Sequence, residues 1–396
     1  LIPPSASIPR HVLPTIVLAQ FACTSLWFAG NAVLPNLVPQ FGLGAGSLGH
    51  LTSAVQLGFI LGTLVFAVFT LSDRFSPSKV FLVCAVAGAG FNLSLLLAEG
   101  FTTLLLSRFV AGFCLAGIYP VGMKIAADYH QKGLGKALGY LVGALVLGTA
   151  FPHLLKSLTH GLPWRYVIWA TSGLALAGGI ALVALVPDGP FRSRSTRPDF
   201  RAFFQIFRQK EFRAAAFGYF GHMWELYTFW AFVPVLLALY AEAHPTVELK
   251  ISLLSFWVIG AGTLACILGG YIAEKVGSAR TAFGALAVSM VCCLLSPWSF
   301  QLSLPLFLGL LVVWGLAVVM DSPQFSTLVA QAAPVQAKGT ALTIVNSIGF
   351  AITIVSIQVV RSLQPEVPAR FWFLILFVGP LLGLLAMRRL LRRPAR

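Results

Sequence analysis

The sequence predicts an all-α integral membrane protein whose twelve transmembrane helices form two pseudo-symmetric six-helix bundles. Three observations carry this reading. Hydrophobic residues make up 58% of the 396 positions and charged residues only 10%, against roughly 25% charged in a soluble domain. The mean hydropathy of +0.87 is gathered into runs of membrane length; spanning the bilayer takes about 20 apolar residues, and a lone helix satisfies its own backbone hydrogen bonds in lipid. A small acid–base turn also occurs twice, half a chain apart. The first copy is Asp73-Arg74-Phe75-Ser76 with Lys79 beyond it. The second runs from Gly270 through Tyr271, Glu274 and Lys275 to Ser278, with Arg280 beyond it. Each copy closes one apolar run and precedes another.

In chain order the apolar runs predict helices over 12–36, 47–71, 79–98, 102–124, 134–157 and 165–186, then 211–240, 250–273, 280–300, 304–330, 340–361 and 371–388. Most connections are short, which suits antiparallel neighbours. The long one, 187–210, opens with Pro187-Asp188-Gly189-Pro190 and carries Arg192, Arg194, Arg197, Arg201, Arg208 and Lys210. It divides the chain into a first bundle, 1–186, and a second, 211–396. Within it, 199–210 reads either as a surface helix with Phe200, Phe203, Phe204 and Phe207 toward lipid or as a solvated linker. Further landmarks repeat between the halves. Pro35 in the first helix matches Pro234 in the seventh, and Pro120 in the fourth matches Pro323 in the tenth. Gly135-Lys136-Ala137-Leu138 before the fifth helix resembles Gly339-Thr340-Ala341-Leu342 before the eleventh. The offsets run from 199 to 204, as an old duplication with small insertions leaves them.

The net charge of +15 is a topology signal rather than a nucleic-acid signal. Of 27 Lys and Arg, 21 fall on alternate connections and on both ends of the chain, and only Lys156, Arg165, Lys250, Arg361 and Arg370 fall on the other side. Basic loops stay cytoplasmic, so both termini are expected inside a cell membrane crossed many times, with a bacterial inner membrane as the expected location. The six cysteines lie within apolar runs, at neither disulfide-framework nor zinc spacing, which suits ordinary packing. The chain opens Leu1-Ile2-Pro3-Pro4-Ser5 without a basic-then-apolar leader, and its first apolar run is long enough to remain as a helix.

With its spans, its six-plus-six division and its repeated turn, the chain resembles the major facilitator superfamily along essentially its whole length. Arg108 with Gly112 also resembles that superfamily's helix-4 Arg-x-x-x-Gly element. The first turn departs from the family pattern, with Phe69, Ser76 and Pro77 where Gly, Gly and a basic residue are usual; the second copy is closer. The resemblance implies a substrate site near the midplane, between two halves that rock around it. It also implies a cytoplasmic gate at the repeated turns. Asp73 would pair at helix ends facing the opposite half, Arg74 and Lys79 would hold the turn at the lipid surface, and Glu274, Lys275 and Arg280 would form the second copy. The plainer alternative is a basic turn that only sets topology.

An ionisable group at the bilayer centre costs at least ~2.5–3.5 kcal/mol on insertion scales, so it is a functional candidate by default. Glu225 and Asp321 are the acids well inside spans, Arg108 the base and His222 the histidine. His222 and Glu225 are three apart and so are neighbours on one helical face. Burial favours the neutral acid and a nearby imidazolium favours the carboxylate, so the pair suits proton uptake and release near neutral pH. A neutral Glu225 bonded to His222 and Tyr227 as interhelical glue is the competing reading. Asp321 precedes Ser322-Pro323; the proline frees a carbonyl near Val319, letting the helix kink and Asp321 face a cavity or bridge the halves. Arg108 and Tyr119 are three helical turns apart and share a face. A guanidinium there either attracts an anion bidentately or caps neighbouring helix carbonyls. Asn31 and Gln56 offer neutral hydrogen bonds to a solute or to packing. Trp27, Tyr119, Trp224, Tyr227, Trp230 and Trp314 either line a cavity or face lipid.

The leading function is a secondary active transporter for a small organic or inorganic anion, proton-coupled and working by alternating access. A monomer without cofactor or bound metal is expected. Drug or metabolite efflux is the first alternative. The export families carry a Gly-rich fifth helix, and here only Gly139, Gly148 and Pro152 are in place, without the Gly before the proline or the closing pair. Metal carriage is prompted by His222, Met223, Glu225, Met320 and Asp321, but Met223 lies off the His222–Glu225 face. A non-transporting receptor of the same fold is the fourth reading. Enzyme motifs are missing: there is no phosphate-binding Gly loop with its Lys, no His-x-x-x-His and no Ser between elbow glycines.

Overall fold

The computed structural model describes residues 9–44, 46–130, 134–159, 162–192, 206–334, 338–364 and 366–391. Among them, twelve helices are long and apolar enough to cross a membrane. They are α1 Val12–Phe41, α2 Ser47–Val68, α3 Pro77–Leu97, α4 Phe101–Tyr129, α5 Lys136–Leu158 and α6 Arg165–Leu185, then α7 Lys210–Ala243, α8 Ile251–Val276, α9 Ser278–Ser299, α10 Leu304–Ala332, α11 Gly339–Leu363 and α12 Ala369–Leu391. The sequence-based boundaries lie within five residues of these throughout. Twelve crossings put the start of α1 and the end of α12 on one face, called here the terminal side.

Helix neighbours recur six places on. α1 packs on α5 and α6 as α7 packs on α11 and α12, α2 on α4 as α8 on α10, and α3 on α6 as α9 on α12. The two bundles meet through α5 against α8 and α2 against α11. The apolar stretches of α1 and α5 are 67% buried and that of α8 only 33%, which puts the first two inside and turns much of the third outward. Side chains such as Leu18, Val83, Trp257 and Trp298 form the exposed apolar surface that a bilayer would cover.

Lipid tails are as apolar as leucine, so helices in a membrane associate mainly where small residues let them touch closely. A Cβ at Gly58 would run into the Phe109 backbone, and one at Gly112 into the Val55 carbonyl, so α2 and α4 meet backbone to backbone. A Cβ at Gly315 would run into the Val258 carbonyl, which repeats the Gly112–Val55 contact between α8 and α10, 203 positions on.

Four of these helices, α1, α4, α8 and α10, consist of two α-helical parts, α8 being split at Ala261. In α1 the helix stops at Thr24 and restarts at Ala29, and in α4 it stops at Leu115 and restarts at Tyr119, with Pro120 in the new first turn. In α10 it stops at Met320 and restarts at Ser322 with Pro323. Pro323 frees the Val319 carbonyl as expected, and the Cys266 thiol donates to it at 3.6 Å. Pro234 behaves as its match Pro35 does: each lies inside a continuous helical stretch, Lys210–Ala243 and Ala29–Phe41 respectively. The start of the connection between bundles is tied to the first one: Tyr129 Oη donates to the Pro187 carbonyl at 2.6 Å and Phe191 N to that of Asp128 at 3.0 Å. The segment 199–205, with Phe200, Phe203 and Phe204, lies outside the described residues; Phe207 meets the rings of Phe212 and Phe217.

Candidate functional site

A narrow cleft lies between the bundles. Tyr119 of α4, Val142 and Leu145 of α5, and Tyr219, Met223, Leu226, Tyr227 and Trp230 of α7 line it, with Val319, Ser322 and Ser326 of α10 and Asn346 and Phe350 of α11. The walls are rich in aromatic rings, with hydroxyl and amide groups toward the terminal side and no basic side chain among the lining residues. Above it, Trp27 stacks on Tyr227 at 5.4 Å and on Phe350 at 5.8 Å, and Phe59 meets Phe350 at 4.4 Å. These ring contacts join α1 and α2 to α7 and α11. Tyr119, Tyr227 and Trp230, expected at a substrate site, are thus brought together, and Trp230 Nε1 is buried without a protein partner.

His222 and Glu225 are neighbours along α7 but their side chains serve different helices. His222 Nδ1 lies 2.8 Å from Asp321 Oδ1, both side chains fully buried. This is ion-pair distance, though neither ring nitrogen is aligned for a hydrogen bond. Asp321 sits at the break of α10, next to the cleft residue Ser322, and pairs within its own bundle rather than across the halves. Glu225 turns instead to α9 and the first part of α10. Its Oε1 accepts from Ser289 Oγ at 2.5 Å, from Cys293 Sγ at 3.2 Å and from Trp314 Nε1, while Oε2 has no protein partner. The expected His222–Glu225 pair is therefore replaced by two separate sites. Residues three apart on a helix still diverge by about 60°, enough to reach different neighbours. Ser289 and Cys293 are four apart on one face of α9, but nothing local ties them to Glu225.

Arg108 is also placed differently from the cavity-facing expectation. It is 1% exposed, and its Nη2 donates to the carbonyls of Leu26 at 2.8 Å and Trp27 at 2.6 Å while Nη1 donates to Asn92 Oδ1 at 3.2 Å. Leu26 and Trp27 lie in the break of α1, whose carbonyls have lost their helical donors. The guanidinium supplies those donors, and Gly30 leaves room for its stem. Arg108 fills the capping role of the two roles open to it. Asn31 donates to Thr52 Oγ1 at 2.8 Å, tying α1 to α2; Gln56 is fully buried with no protein partner for its amide.

At the terminal side the two copies of the acid–base turn differ. Asp73 does not face the opposite half. It pairs with Lys124 of α4 at 2.8 Å, Lys124 reaches Asp128 at 3.6 Å, and Arg192 Nη2 donates to the Asp73 and Phe75 carbonyls. The lysine four residues before Asp128 was the available signal for this cluster. Arg74 and Lys79 are exposed, as are Glu274, Lys275 and Arg280. The second copy meets α5: Lys136 Nζ stands 4.9 Å over the Tyr271 ring, Tyr140 Oη lies 3.4 Å from Tyr271 Oη, and Glu274 lines the same small groove.

Twelve membrane helices in two bundles, with buried ionisable groups around a cleft between them, are the architecture of a multi-pass membrane protein. The chain belongs to the Major Facilitator Superfamily, whose family model matches residues 16–357. A chloramphenicol resistance protein of Streptomyces lividans is 28% identical over 46% of this chain and 47% of its own length. A gentisate transporter of Corynebacterium glutamicum is 27% identical over 45% of this chain and 40% of its own length. The chain spans about half the length of the curated relatives it matches. Among solved structures, the human organic anion transporter MFSD10 superposes with a TM-score of 0.74 over 96% of this chain and 100% of its own, at 18% identity, which shows the shared fold.

Proposed function

We propose that this chain is a proton-coupled secondary transporter that moves a small aromatic acid across the membrane by alternating access. Its two bundles, 1–186 and 211–396, rock about the 187–210 connection. The observation that carries this is the cleft itself: aromatic rings from both bundles, with Ser322, Ser326 and Asn346 to bind polar substituents. Rings stack on aromatic side chains in offset or edge geometry, and a compact inorganic anion would find no base along these walls. The name of the gentisate transporter supports an aromatic acid. The buried carboxyls Glu225 and Asp321, the latter beside His222, supply protonatable groups around the cleft. Among the described residues no three His, Cys, Asp or Glu side chains group to hold a metal ion, which speaks against metal carriage.

The lack of a base in the cleft, with the name of the chloramphenicol resistance relative, supports export of a neutral aromatic compound as the second reading. Proteoliposomes under an imposed pH gradient separate the two. Labelled gentisate is expected to accumulate with the gradient and to lose about tenfold in rate with Tyr227→Ala, a loss of some 1.4 kcal/mol of transition-state binding. Movement of chloramphenicol but of no aromatic acid would establish the export reading instead.

A further inference from the structure

We propose that Gln358 and Arg361 of α11, seated on Gly49 and Ser53 of α2 and on Gly46 just before it, form the latch that holds the cleft shut on the side away from the chain termini. The inference rests on the alternating-access reading and assigns state-determining residues outside the cleft. Asn346 and Phe350 of α11 line the cleft, and Phe350 meets Phe59 of α2. Two turns further from the terminal side, Gln358 Nε2 donates to the Gly49 carbonyl at 3.2 Å and to Ser53 Oγ at 2.8 Å. Arg361 Nη1 donates to Gln358 Oε1 at 3.0 Å and so holds the amide with its donor toward α2.

The two glycines make the seat. A Cβ at Gly46 would stand 2.9 Å from the Arg361 guanidinium carbon, and one at Gly49 would stand 3.1 Å from its Cδ. A side chain there would lift Arg361, and Gln358 with it, off α2. The electrostatics keep the contact reversible. Arg361 lies in the last turn of α11, where the helix dipole favours a cation, but also over the first turn of α2, where it does not. The joining bonds are made by a neutral amide, and among the described residues no ion pair links the bundles. A few neutral hydrogen bonds, partly exposed, can break and re-form within a transport cycle.

The test measures state rather than substrate. The six native cysteines are buried, so cysteines introduced at Gly44 and Gln364 take spin labels selectively, and their separation in lipid nanodiscs reports the opening on this side. The parent is expected to show one short distance. Gln358→Glu keeps the size and the acceptor for Arg361 but loses the donor for Gly49 and Ser53, and a second, longer population is expected. Gly49→Val is expected to do the same. In the other direction, Ser53→Cys with Gln358→Cys is expected to cross-link on oxidation, to retain only the short distance and to stop gentisate exchange until reduced. An unchanged distance distribution in well-folded Gln358→Glu would overturn the proposal, as would failure of the pair to cross-link. If gentisate moves in no sample, the substrate reading fails while the distance measurements still decide the latch.

Discussion

A base buried among membrane helices persists only where its donors find acceptors, and Arg108 meets that condition at the broken stretch of α1. One flat guanidinium serves two carbonyls there and the Asn92 amide on α3. Lysine keeps the charge but lacks the planar fork, so Arg108→Lys is expected to lower stability by about 1.5–3 kcal/mol, the scale of a hydrogen bond to a charged group. It should leave the KM for substrate little changed. Thermal unfolding in detergent, run beside uptake kinetics, checks both halves. Normal unfolding with a raised KM would return Arg108 to the substrate site. Glu225 carries a different prediction. Glu225→Gln retains an oxygen to accept from Ser289, Cys293 and Trp314, so the fold should hold. It cannot release a proton, so gradient-driven accumulation should be lost while exchange of substrate for substrate continues. Persisting pH-driven accumulation would leave the coupling to Asp321 and His222. The importance of these residues was legible in the sequence, because the bilayer makes each ionisable group conspicuous. Their partners were not: Asp321 lies 99 positions from His222 and Ser289 lies 64 from Glu225.

At the scale of elements, proline and glycine do most of the shaping, and they do it differently. Pro120 and Pro323 sit in the first turn after a break, where their missing donor costs little; the break at Pro323 was expected from the residues, the one at Pro120 was not. Pro35 and Pro234 show the limit of reading prolines as breaks, since each sits inside an uninterrupted helical stretch. The glycine contacts depend on which face meets which neighbour. Gly112 and Gly315 lie against Val55 and Val258 at equivalent points of the two bundles. Adding branched side chains there is overpacking, with a cost of roughly 1–3 kcal/mol each. Gly112→Val and Gly315→Val should therefore lower the unfolding temperature by similar amounts, while a valine at Gly284, where a Cβ meets open space, should be neutral. Unequal effects would mean that the two contacts are not mechanically equivalent.

At the scale of the whole molecule, the terminal side carries the basic residues and the opposite side few of them. This asymmetry predicts a cytoplasmic terminal side. Cysteines placed at Pro190 and Thr246, both exposed and on opposite faces, should react with an impermeant maleimide from the cytoplasm and from outside, respectively. Reaction of both from one side would be incompatible with the twelve-helix path. The sequence by itself determined the membrane class, the twelve spans, the duplication and the kink of α10 at Pro323. Each depends on hydrophobic length, charge placement or local backbone chemistry, which the chain carries residue by residue. Only the tertiary structure decided that Arg108 serves α1, that His222 belongs to Asp321 rather than Glu225, that Asp73 stays within its own bundle, and that Gln358 and Arg361 reach α2. Those outcomes depend on how each helix is rotated against its neighbours. In a membrane nearly every helix face is apolar, so hydrophobic patterning leaves the rotation open, and close packing at a few glycines and buried polar groups settles it.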